Sequence, residues 1–155
     1  MDFDKNIQSQ YLASLAMLRQ VIVDCPDSLW NDTTYQNVFW HLAYHALYYT
    51  HLYLHPGLQA FVPWAKHRPE LHRFSTAGEA YSRAEVLELY EIVCRDIPRL
   101  VTNASLEEPS GFDWLPFNRL ETHIYNIRHL HQHVGELCER LGAQQSSAIR
   151  WTISG

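Results

Sequence analysis

Between Tyr35 and Leu54 the chain runs without a glycine or proline, and His55-Pro56-Gly57 then stops it. Three further segments show the same alternation of helical spacing and breaker, which points the chain to an all-α fold. From Phe3 to Asp24, the residues Phe3, Ile7, Tyr11, Leu15, Leu18 and Ile22 recur every three or four positions, as on one helix face. Cys25-Pro26-Asp27 ends that run, because proline lacks an N–H and pushes its predecessor out of helical geometry. Ser82-Arg83-Ala84-Glu85 is a capping box. Asn118 with Glu121 repeats the cap logic before a helical pattern that reaches Leu141 and meets a stop at Gly142. The expected fold is a four-helix bundle with helices over 3–24, 34–54, 82–102 and 118–141, with Pro98 kinking or shortening the third. The connection over 56–81 holds Phe61, Trp64 and Phe74 among its breakers, so it is expected to pack rather than dangle.

At 155 residues the chain suits one domain over 1–155. Twelve Lys and Arg against seventeen Asp and Glu give a net charge of -5, the wrong sign for a partner made of phosphates, so no nucleic acid is expected. No run of about 18 apolar residues is present, and MDFDKNIQSQ has neither a basic start nor an apolar stretch after it. A cytoplasmic protein with no membrane association is expected. Cys25, Cys94 and Cys138 are odd in number and form no C-x-x-C pair, which predicts free thiols and no cysteine-built zinc site.

Histidine is the anomaly. Eight of the ten fall within 41–55 and 123–133. His129 and His133 stand one turn apart on one helix face, a spacing that lets two imidazoles hold one ion. His41 and His45 repeat that spacing on a stripe shared with Thr34, Val38, Tyr48 and Leu52, whose apolar members point it inward. Bundle helices pack about 8–10 Å apart, so facing imidazoles can converge on one metal. His131 points to the opposite side of its helix. His51, His55, His67 and His72 fall at a helix end or in the connection, where solvent is expected to satisfy them. His123 shares the core stripe with Ile127, Leu130 and Val134. Leu130 after His129 excludes H-E-x-x-H, the absence of Glu-x-x-His excludes a ferritin-like di-iron site, and no G-x-S-x-G is present.

His129-Leu-His-Gln-His133-Val-Gly135-Glu-Leu137 resembles the H-x-x-x-H-x-G-[QE]-L signature on the last helix of DinB-like proteins. Phe39-Trp40-His41-Leu42-Ala43 is similar to the single-histidine motif of the same family, and the order of the four helices agrees. The resemblance implies a bundle, often a homodimer, with one divalent transition metal (Zn, Ni or Fe) on His41, His129 and His133. His45 stands beside His41 as an alternative third ligand. The resemblance also implies a metal-dependent enzyme, a thiol S-transferase or small-molecule hydrolase, whose substrate is a small molecule such as a low-molecular-weight thiol.

Three imidazoles leave an ion its full charge and an open position, which is the arrangement of catalytic sites. Tyr48, Thr122 and Asn126 are candidate supporting residues, and Trp64, Trp114 and Phe117 candidate pocket walls. A nonenzymatic metal- or haem-binding bundle and an interaction module with incidental histidines are the competing readings.

Overall fold

The computed structural model describes residues 2–74, 78–101, 105–144 and 149–155. Its helices are α1 (Phe3–Asp24), α2 (Asp27–Trp30), α3 (Phe39–Leu54), α4 (Arg83–Val101) and α5 (Arg119–Gln144). A single 3-10 turn, Leu58–Ala60, follows α3. No strand occurs among the described residues. The four long helices form a ring in which α1 packs on α4 and α5, and α3 packs on the same two. The core between them gathers Tyr11, Leu15, Leu18 and Ile22 of α1, Leu42 and Leu47 of α3, Leu89 and Val93 of α4, and Leu130, Val134 and Leu137 of α5. Among the described residues no helix is long and apolar enough to cross a membrane.

α1 has the expected bounds, and Asp2 caps it by accepting from the Lys5 N–H at 3.1 Å. The Ser82 box closes as its sequence predicts: the Ser82 N–H donates to Glu85 at 2.8 Å, and the Glu85 N–H to the Ser82 hydroxyl at 3.3 Å. Asn118 caps α5 by accepting from the Glu121 N–H at 2.9 Å. Pro98 lies inside α4, which continues to Val101; the expected end at Thr102 lies outside the described residues.

Two boundaries and one short helix differ from expectation. The second long helix starts at Phe39, not 34, because the Asp32 carboxylate accepts from both the N–H and the hydroxyl of Thr34, at 2.9 and 2.7 Å. Arg140 of α5 also donates to the Asn37 carbonyl at 2.6 Å, leaving Val38 extended. Gly142 does not stop α5, which runs on to Gln144, because Gly142 keeps a helical rather than a left-handed backbone. The short α2 follows directly on Pro26 and buries Leu29 and Trp30, whose indole N–H donates to the Tyr81 carbonyl at 2.9 Å.

The 55–82 connection packs as expected, with Trp64 and Leu71 buried in the main core. At its start Arg119, the first residue of α5, is buried and points its guanidinium at the end of α3. It donates to the carbonyls of His55 and Leu54 at 2.6 and 3.0 Å and to Ser110 at 3.3 Å. The last carbonyls of a helix have no partner within it, and a cation there also meets the negative end of the helix dipole.

Candidate metal centre

α3 and α5 lie side by side and bring His45, His129 and His133 together, with one donor nitrogen of each within 4.8 Å of the others. The Nε2 atoms converge. His129 Nε2 stands 3.3 Å from His45 Nε2 and 3.2 Å from His133 Nε2. Metal–nitrogen bonds of about 2.0–2.1 Å at tetrahedral angles separate ligand nitrogens by about 3.3–3.4 Å, so the spacing fits one ion.

The far nitrogens set the tautomers. His45 Nδ1 donates to the His72 carbonyl at 2.7 Å, and His133 Nδ1 faces Glu136 Oε2 at 3.4 Å. Both rings therefore carry their proton on Nδ1 and turn an Nε2 lone pair inward. His129 Nδ1 is buried without a partner. One N–H on His129 satisfies at most one of the two facing lone pairs, so the trio could hold a metal ion. Burial pushes the His45 imidazole down to about 3, with His133, His129 and His41 adding to the effect. Burial and then His133 push His129 down to about 4. His133 is lowered by burial too, against the opposing pull of Glu136. All three rings are thus neutral at neutral pH, the form that ligates.

His41 takes no place in this trio. The buried connection crosses α3 one turn earlier, where the Leu71 carbonyl accepts from His41 Nε2 at 2.6 Å. Its ring stacks on Trp40, with centroids 4.9 Å apart. The structure thus gathers His45 with the pair on α5 and leaves His41 bound to backbone.

His131 faces away, as its position predicts: its Nδ1 lies 3.3 Å from the Ser14 hydroxyl on α1, beside Trp151. His123 is a core residue, its Nδ1 3.1 Å from the Tyr11 hydroxyl. The other four histidines are not left to solvent. His51 is buried with Nε2 3.1 Å from Asp96 on α4, and His55 is buried with Nδ1 donating to the His51 carbonyl at 2.8 Å. His67 and His72 both stack on the Tyr48 ring, at 4.9 and 4.4 Å, and lie 5.6 Å from each other. That stack seats the loop whose His72 carbonyl holds His45, so Tyr48 supports the centre through the loop.

Asn126 donates to Tyr11 and to the Thr50 carbonyl at 3.0 Å each, and Thr122 to the Asn118 carbonyl at 2.8 Å, so both serve the core. Trp64 is also core, and Phe117 packs on Tyr125. Trp114 does line a cavity of about 610 Å³ that opens against His45 and His129. Tyr49, Tyr53, Tyr125 and Arg73 line it as well and were not singled out by the sequence. Tyr49 and Tyr125 were detectable there, each four residues from a site histidine on the same helix.

Comparison with protein families, with curated proteins and with solved structures finds no match.

Proposed function

We propose that this chain is a metal-dependent enzyme of the DinB-like type, acting on a small molecule at one divalent ion held by His45, His129 and His133. The observation that carries the reading is the approach of His129 Nε2 to His45 Nε2 and His133 Nε2 at 3.3 and 3.2 Å, with one donor nitrogen of all three within 4.8 Å, while two of the three Nδ1 atoms face acceptors. An ion on three neutral imidazoles lowers the pKa of a bound water or thiol and so supplies a nucleophile at neutral pH. The chain's own contribution is orientation. The His72 carbonyl fixes the His45 ring, Glu136 fixes His133, and Tyr49 and Tyr125 line the cavity beside them. Thiol transfer and small-molecule hydrolysis both use such a centre.

The convergence speaks against the haem alternative, because axial imidazoles approach an iron from opposite faces, whereas these three meet on one side of a single point. A homodimer belongs to the same reading; exposed Ile124, Trp151 and Ile153 are apolar surface for it, and light scattering at twice the 18.2 kDa chain mass tests it.

Metal content of untagged protein, measured by mass spectrometry, tests the centre. The expected result is one ion per chain, lost in His45→Ala and His133→Ala and kept in His131→Ala and His41→Ala. Full occupancy in His45→Ala together with loss in His41→Ala would overturn the ligand set. Absence of any stoichiometric ion in the wild type would overturn the reading as a whole.

A further inference from the structure

The cavity against His45 and His129 is walled by rings. Tyr49 and Tyr53 lie 5.8 Å apart and Tyr53 and Tyr125 5.6 Å, so the three form a continuous face. Tyr49 stands edge-on to His129 at 5.6 Å, and Tyr125 lies near-parallel to it at 6.3 Å. Trp114 carries the face to the mouth, its indole N–H donating to the Tyr53 hydroxyl at 3.2 Å. The Tyr53 hydroxyl is thus engaged within the wall, and apolar ring surface makes up more of the lining than polar atoms do.

The volume of about 610 Å³ lies in the range of small-molecule sites. Among the described residues no carboxylate lines the cavity, and Arg73 is the one arginine or lysine that does. A ligand rich in hydroxyls or amides would bury more of them against ring carbons than the wall has polar groups to meet, at a cost. A flat ring would gain offset-stacked and edge-to-face contacts on the same wall.

We infer that the pocket takes a small aromatic molecule with an anionic donor head, its ring against Tyr49, Tyr53 and Tyr125 and its head toward His45 and His129. This rests on the metal reading for the head and on the wall alone for the ring. It narrows the substrate class to aryl or arylalkyl compounds, in preference to sugar- or peptide-like thiols.

Two hydroxamates with one donor head, benzohydroxamate and acetohydroxamate, separate the two parts. In cobalt-loaded protein the visible d–d absorption reports the centre itself, and its change on titration reports the ligand. Benzohydroxamate should bind at least tenfold tighter than acetohydroxamate, and Tyr125→Ala should remove most of that preference while keeping the cobalt band. The metal-free protein is titrated in parallel by tryptophan fluorescence, with Trp114→Phe identifying the reporter. There a weaker preference for the aromatic compound should persist. Equal affinities in both forms would overturn the inference while leaving the centre intact. A missing cobalt band with a surviving ring preference would overturn the metal reading and the placement of the head.

Discussion

Replacing Arg119 by Met removes the link between the end of α3 and the start of α5. Two of its bonds are short, to His55 and Leu54 at 2.6 and 3.0 Å, and the third to Ser110 is longer at 3.3 Å. Bonds from a charged donor contribute about 1.5–3 kcal/mol each, so the two short ones together give roughly 3–6 kcal/mol. Against this stands burial of a cation whose Nε has no partner, which lowers the Arg119 pKa and offsets part of the gain. The net loss on Arg119→Met should be about 3 kcal/mol, because Leu54, His55 and Ser110 are buried and water cannot replace the guanidinium at their carbonyls. For a chain of this length that lowers Tm by roughly 6–12 °C. Guanidinium unfolding followed by far-UV circular dichroism measures it. Arg119→Lys should fall between the two, since one ammonium cannot span two carbonyls in the way a planar fork does. A loss under about 1 kcal/mol in Arg119→Met, or a lysine variant equal to wild type, would refute the capping argument.

Three other outcomes are expected. Burial, aided by Arg119, holds His123 down to about 4, whereas the unfolded chain titrates near 6.5. The unfolded state then binds the extra proton, so stability should fall as pH drops from about 6.5 toward 4, by up to about 3 kcal/mol for this group. With chelator present, His123→Gln should flatten the stability curve by one proton, and an unchanged slope would contradict this. Gly111 has φ +80° and a Cβ there would strike the Pro56 carbonyl oxygen, so Gly111→Ala should destabilise by about 2 kcal/mol or more in urea unfolding. Gly135, inside α5 with nothing within 4 Å of a built Cβ, should behave oppositely: Gly135→Ala should stabilise by about 0.5–1 kcal/mol in the same assay.

What the sequence made legible was local. The α1 face, the Ser82 box and the His129–His133 pair each depend on residues three or four apart, and each is found as spacing predicts. The choice between His41 and His45 depends instead on where a connection some thirty residues later recrosses α3. There the Leu71 carbonyl takes up one ring and the His72 carbonyl orients the other. Nothing within one turn of either histidine carries that information. The start of α3 escaped for a similar reason, since Arg140 reaches Asn37 from the far end of α5. His51 looked solvent-bound because its partner, Asp96, lies 45 residues on. The aromatic wall was legible only in its parts: Tyr49 and Tyr53 follow His45 at four-residue steps and Tyr125 precedes His129 by four, but no local spacing says that these faces meet one another and Trp114 of the connection before α5.

His45 and His129 are separated by 84 residues of chain. An ion shared between them would act as a clasp on that loop, and closing a loop of such length in the unfolded chain removes conformational freedom equivalent to about 4–5 kcal/mol when the closure is covalent. A metal clasp is reversible, so its tightening effect would follow the free metal concentration by mass action. Starving the protein of metal would then do more than silence a site: it would loosen the seam between α3 and α5, and the same scarcity that disarms the chain would expose it to proteolysis.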